Sequence, residues 1–167
     1  MTQNEHMNWT YRGNEISDIT QFPNNTYGFV YICTHVPTGK SYIGKKILQF
    51  TKKVKLGKKE LAALAGIVGR RPSYKLSVKE SDWKTYYGSQ KDIKKLLVEG
   101  KKDEFQRSIL KCVPNKKSLT YFEIKYQMIY QVLEKPDEFY NDNILGKFFT
   151  KDLDGIDFED FVEEHKP

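Results

Sequence analysis

Residues 28–46 read GFVYICTHVPTGKSYIGKK and set two tyrosines, Tyr31 and Tyr42, on the two arms of a turn. Tyrosine is a common strand residue, so packing alone accounts for either one. Two phenols that meet across neighbouring strands can also orient or deprotonate a water molecule. A phenol with a pKa near 10 serves as a base only where a metal or a cationic side chain lowers it. Lys40, Lys45 and Lys46 are close enough in sequence to supply that field. A second group of interest is ESDWKTYYGSQ, residues 80–90, where Trp83, Tyr86 and Tyr87 alternate with Lys84 just ahead of Ser89. Aromatic rings stack on bases, and helix N-termini bind phosphate. For Trp83, packing against a sheet is the plainer reading.

The elements that must hold these groups are legible locally. GFVYICT, residues 28–34, is dense in β-branched and aromatic residues and reads as a strand. Pro37 and Gly39 supply turn chemistry, and SYIG, residues 41–44, is the return strand. KKELAALAG reads as a short helix stopped by Gly66, Gly69 and Pro72. A second helix is expected over 89–98, with Ser89 as N-cap, Asp92 three residues on and Gly100 beyond. EFQRSILKCV, residues 104–113, alternates in strand fashion. Apolar residues at 119, 122, 126, 129 and 133 predict a third helix over 118–133, ended by Pro136. Residues 138–149 read as irregular or weakly stranded. The order implies an α+β fold, a small three-stranded antiparallel sheet flanked by helices. Residues 1–26 are expected to be a polar arm, 27–150 the domain with a basic insert at about 45–84, and 151–167 an acidic tail. In that tail Ile156, Phe158, Phe161 and Val162 have helix-like spacing. They suit a docked amphipathic helix or, more sharply, an acidic segment that competes with a polyanionic partner for the basic insert.

Bulk properties narrow the class. A chain of 167 residues with 38% hydrophobic content suits one domain with its own core. The longest apolar run, LAALAGIV, is far short of the roughly 20 residues a bilayer span needs. The first residues, MTQNEHMNWTYRGNE, carry no apolar signal core, so the expectation is a cytoplasmic protein. Cys33 and Cys112 read as buried free thiols, and His6, His35 and His165 have no zinc-ligand spacing. The net charge is +6, yet residues 40–84 hold thirteen Lys or Arg against Glu60, Glu80 and Asp82. Such clustering suits a polyanion partner or a solvated lysine-rich face.

The hairpin resembles the signature of the GIY-YIG nuclease family. Tyr42-Ile43-Gly44 matches its second half literally, and Gly28-Phe29-Val30-Tyr31 carries one extra residue between glycine and tyrosine. The resemblance covers roughly residues 27–148. It implies a helix glutamate, which Glu123 in SLTYFEIKYQ matches, and an asparagine after a tyrosine, which Asn141 in FYND matches with Asn143 as a competitor. It also implies an arginine soon after the second glycine. Here about 40 residues intervene, and Arg70 and Arg71 are the available candidates, with Arg71 favoured and Tyr74 or Lys75 as neighbours. Segments similar to WKTYYGS occur in phage-encoded members.

The resemblance implies a metal-dependent DNA endonuclease of the small phage or mobile-element kind, leaving 5′-phosphate and 3′-hydroxyl ends. Tyr31, Tyr42, Arg71, Glu123 and Asn141 would form its catalytic set. A carboxylate such as Glu123 can hold one Mg²⁺ or Mn²⁺ that keeps most of its waters. Lys40, Lys45, Lys46, Arg70, Lys75, Lys84, Tyr87 and Ser89 are the expected DNA contacts. With one active site, cutting both strands requires a homodimer or two successive events. The alternative is a non-catalytic nucleic-acid-binding module that keeps the fold.

Overall fold

A computed structural model of the chain describes residues 8–156. Its centre is the hairpin of β3 (Gly28–His35) and β4 (Lys40–Ile47), in antiparallel register with Tyr31 opposite Gly44 and Cys33 opposite Tyr42. Gly39, at φ +72°, lets the chain reverse, the role expected of it. β7 (Phe105–Val113) pairs antiparallel with the other side of β3, with a register shift between Val30 and Tyr31. Because Val30 faces Lys111 and Tyr31 faces Ile109, the unpaired residue is Leu110 of β7. Strand β3 therefore alternates without interruption, Phe29, Tyr31 and Cys33 to one face and Val30 to the other.

The sheet is larger than three strands and is mixed. β1 (Trp9–Tyr11) runs parallel to β7 and carries β2 (Asn14–Ile16), giving the order β2-β1-β7-β3-β4. The described part of the expected arm is thus built into the fold. Its polar composition is misleading because few residues of so short a hairpin need to be apolar. Trp9 is fully buried, donates its indole N–H to the Trp83 carbonyl at 2.8 Å and meets Phe29 and Tyr31 edge-on. Arg12 and Gly13, both at positive φ, make the tight two-residue turn.

Two further strands, β5 (Gln49–Lys55) and β6 (Tyr74–Glu80), form a separate antiparallel ribbon within the basic insert, joined through α1 (Lys58–Ala63). α2 (Lys91–Val98) and the Trp83 segment cover the Trp9–Tyr31 face of the sheet. α3 (Lys116–Ile129) covers the Val30–Ile43 face, together with β8 (Asn143–Ile144), which pairs with β9 (Phe148–Phe149).

Both longer helices differ at their ends from expectation. The N-cap of α2 is Gln90, whose side-chain oxygen accepts from Asp92 N at 2.7 Å and Ile93 N at 3.0 Å, and not Ser89. Helix α3 begins after Asn115, which caps Ser118 N, and stops well before Pro136 because Gln131 turns left-handed at φ +55°. Leu133 still reaches the core, but from the loop. Cys33 is buried and Cys112 half-buried; desolvation pushes their thiols up to about 12 and about 11, so both stay protonated at neutral pH. Phe158, Phe161 and Val162 of the expected tail helix lie outside the described residues.

Candidate active site

The edge strand β4 carries the site. Residues alternate along it, so Tyr42 and Gly44 share the face of Tyr31, while Ile43 and Lys45 turn toward α3. As an edge strand, β4 leaves the Ile43 N–H and C=O pointing away from β3, and a clamp of side chains satisfies them. Asn141 Oδ1 accepts from Ile43 N at 3.0 Å, and its Nδ2 donates to Ile43 O at 2.8 Å. Gln127 of α3 donates to the same carbonyl at 3.1 Å. Both amides are buried. Asn141 is thus committed to the backbone of the motif, and it is held there because the chain from Glu138 to Tyr140 hydrogen-bonds along Ser41.

On this strand edge opens a cavity of about 450 Å³ lined by Tyr42, Lys45, Ser89, Gln90, Lys91, Glu123, Gln127 and the Asn141–Gly146 loop. Glu123 reaches it from α3, with its side chain 16% exposed and 3.3 Å from the Lys45 ammonium. Lys45 is also fixed by Thr120 at 3.1 Å. Burial raises the Glu123 pKa above the ordinary carboxylate range, and the neighbouring Lys45 opposes that rise. Tyr42 is likewise raised by burial, while a hydrogen bond with the Ser89 hydroxyl partly opposes it.

Tyr31 stands apart. It is fully buried against Trp9, Phe29, Tyr42 and Tyr86, it does not line the cavity, and burial holds its pKa well above 10. Two glycines make room for it. A Cβ on Gly44 would lie 2.7 Å from the Tyr31 hydroxyl and 2.8 Å from the Tyr42 ring. Gly88, at φ +122°, closes over both tyrosines, 3.3 Å from each at the Cβ position.

Other sequence-derived candidates fall elsewhere. Arg70 and Arg71 line a separate hollow with Pro72, Ser73 and Tyr74 at the far end of the β5–β6 ribbon, so neither meets Glu123 in this cavity. The insert that was expected to deliver an arginine runs outward as its own ribbon instead of folding back. Lys75 pairs with Glu60 beside α1. Lys46 is held by Asp82 at 2.5 Å and over the Tyr86 ring at 3.9 Å. Lys40 sits over Tyr140, and Lys84 lies beside Trp83 and Glu80. Tyr87 packs against Phe105 and the buried Arg107, which also caps the carbonyls of Lys84 and Tyr86. It serves packing, where base stacking was expected. Asn143 shapes its own loop, donating to Asp142 and accepting from Gly146 N at 2.9 Å.

Gly88, Lys91, Gln127 and Asp142 complete the site without having been singled out from sequence. Gln127 alone had a signal, since it lies one helical turn after Glu123 on the same face. The donor set toward the cavity is hard oxygen: the Glu123 and Asp142 carboxylates and side-chain amides. Among the described residues no three His, Cys, Asp or Glu cluster as a metal cage. A partly hydrated Mg²⁺ or Mn²⁺ on one or two carboxylates fits such a set.

The family model described as "Putative endonuclease segE, GIY-YIG domain" matches residues 9–144. No curated protein and no solved structure matches the chain.

Proposed function

Since the chain belongs to the GIY-YIG nuclease family, we propose that it is a divalent-metal-dependent DNA endonuclease whose reaction occurs in the Tyr42–Glu123 cavity. The observation that carries this reading is convergence. Tyr42 and Lys45 from β4, Glu123 from α3 and Ser89 and Lys91 at the start of α2 all line one hollow.

Phosphodiester hydrolysis needs a positioned water, a route for its proton and positive charge near the oxygens that become more anionic. Glu123 would hold the ion, with Asp142 as the second available carboxylate, and a bound Mg²⁺ or Mn²⁺ would offset charge on the phosphate. Lys45 answers the same charge from the protein side, and Lys91 adds a cation across the cavity. Tyr42 has a pKa raised by burial, so it acts as a neutral phenol that orients the water by hydrogen bonding, set in place by Ser89. Tyr31 supports the ring of Tyr42 from the core and is a positioning residue. Asn141 and Gln127 fix the Ile43 backbone and hence the angle at which Tyr42 and Lys45 leave the strand. The products carried over from the family resemblance are 5′-phosphate and 3′-hydroxyl ends.

The test is incubation of the protein with supercoiled plasmid and Mg²⁺ beside a Glu123→Ala variant and an EDTA control. Nicked or linear DNA from the wild type alone supports the reading. A shift in plasmid mobility without cleavage would leave the chain a nucleic-acid-binding module on a nuclease fold.

A further inference from the structure

The ribbon β5–β6 has no role in the cavity, and nothing in the sheet requires it. All fourteen of its strand residues are exposed, although seven pairs from Gln49–Glu80 to Lys55–Tyr74 hold it in register. A two-stranded ribbon is marginal alone in water, so one exposed on both faces is expected to meet something. Its exposed apolar side chains include Leu76 at 67% and Val78 at 63%. Residues 49–80 hold nine Lys or Arg against Glu60 and Glu80.

We propose that the β5–β6 ribbon enters the major groove of duplex DNA beside the scissile phosphate and sets where the cavity falls on the duplex. The inference rests on the nuclease reading and adds the element that grips the substrate. Dimensions agree. Seven strand residues span roughly 24 Å at about 3.4 Å each. A major groove about 12 Å wide and about 8.5 Å deep admits a two-stranded ribbon. Composition agrees as well. On one face Thr51, Lys53 and Gln49 stand opposite Val78, Leu76 and Glu80. Thr51, Gln49 and Lys53 supply hydroxyl, amide and ammonium groups that bond base edges, and Val78 and Leu76 supply apolar groups that contact thymine methyls. Glu80, at the root of the ribbon, is engaged by the Trp83 indole N–H at 2.7 Å. The other face, with Lys52, Lys75 and Lys79 around Phe50 and Val54, faces phosphate.

The ribbon is also rigidly tied to the site. It leaves the end of β4 after the buried Leu48, three residues beyond Lys45, and returns where Ser81 N donates to Leu48 O at 2.8 Å and Ser81 Oγ to Ile47 O at 2.5 Å. From there the chain runs through the anchored Trp83 to Ser89 at the cavity rim. Both ends of the ribbon are therefore fixed relative to Tyr42. A second copy of the chain, docking ribbon edge to ribbon edge, would oppose nine cations with nine. A polyanion neutralises them.

The experiment compares a ribbon variant, Lys52→Gln with Lys53→Gln, Lys55→Gln and Lys79→Gln, with a charge-matched control, Lys94→Gln with Lys95→Gln, Lys101→Gln and Lys102→Gln. Binding to a 40-base-pair duplex and to one of its single strands is measured in EDTA across a salt series, with thermal melts to confirm folding. The ribbon variant is expected to bind the duplex at least about tenfold more weakly and to flatten the log–log salt slope by about 0.9 for each phosphate it no longer neutralises. The loss should be smaller on the single strand and absent in the control. Wild type should protect guanine N7, a major-groove atom, from dimethyl sulfate, and the ribbon variant should not. Equal losses in both variants, an unchanged slope, or protection confined to the minor groove would overturn the proposal. So would a ribbon variant that keeps its DNA affinity while a sedimenting dimer falls apart, which would make a second copy the occupant. Because binding is read without metal or cleavage, the ribbon's failure is separable from failure of the nuclease reading. Glu123→Gln should bind like wild type and not cut, and the ribbon variant should still cut at saturating DNA.

Discussion

Tyr31 and Gly44 face each other across the hairpin, and the pair accounts for half of the motif. The strand partner of a buried phenol must be small here, because the ring lies over it; a Cβ on Gly44 would sit 2.7 Å from the hydroxyl. Gly44→Ala is expected to cost about 1–3 kcal/mol by overpacking and to lower cleavage by tilting Tyr42. A chemical melt and a rate measured on the same preparation would check both. Glu123 presents the opposite balance, function held against stability. Its carboxyl binds a proton more tightly in the folded chain than in the unfolded one. Protonated Glu123 therefore adds stability below the ordinary carboxylate pKa, and that stability is lost as pH rises through the raised folded pKa. Glu123→Gln should abolish cleavage while leaving Tm at neutral pH unchanged or higher. The rate should fall as pH drops through the raised value, since the ionised form is the one that holds the ion. Lys45→Met, by removing the opposing cation, should move that acid limb to higher pH; a pH–rate profile of the two proteins reads the shift.

An edge strand has a donor and an acceptor to satisfy at every second residue. In β4 the exposed edge at Ile43 is closed by two amides, Asn141 and Gln127, and not by another strand. Asn141→Ala leaves the buried Ile43 N–H without its acceptor, at an expected cost of about 1–3 kcal/mol. The predicted signature is a fall in kcat with little change in KM, because the clamp fixes the strand and does not touch substrate. A change in KM alone would place Asn141 in substrate binding. The same element logic explains α2. Its expected N-cap, Ser89, is engaged with Tyr42, so Gln90 caps the helix and leaves the serine hydroxyl at the cavity.

The N-terminal hairpin is part of the core. Trp9 bridges β1, the Trp83 carbonyl and the rings behind the site, so Trp9→Ala is expected to cost about 3–5 kcal/mol. Removal of residues 1–26 should yield an unfolded or aggregating chain, which a denaturant titration of the two variants against full-length protein would show. A cooperative, native-like melt after that deletion would count against the packing described. No helix among the described residues is long and apolar enough to cross a membrane.

The central hairpin, the strand at 104–113, the short helix in the insert and the presence of α2 and α3 follow from local pattern, because β-branched runs, turn residues and capping side chains act on their own neighbours. So does the literal YIG, and with it the family. Tertiary structure decided the rest, since charge and burial depend on which distant segments meet. Asn141 reaches Ile43 across 98 residues of chain and turns a candidate catalytic amide into a strand clamp. Glu123 acquires its partner, Lys45, only when α3 packs on β4. The polar residues around Trp9 gave no local sign of a parallel strand, because its pairing partners, Arg107 to Ile109 of β7, lie far along the chain. The two tyrosines of the opening motif look equivalent in sequence. They share one face of the sheet, but Tyr31 stands on the interior strand β3 under Trp9, Phe29 and Tyr86, and Tyr42 on the edge strand β4, which leaves one in the core and the other at the cavity wall.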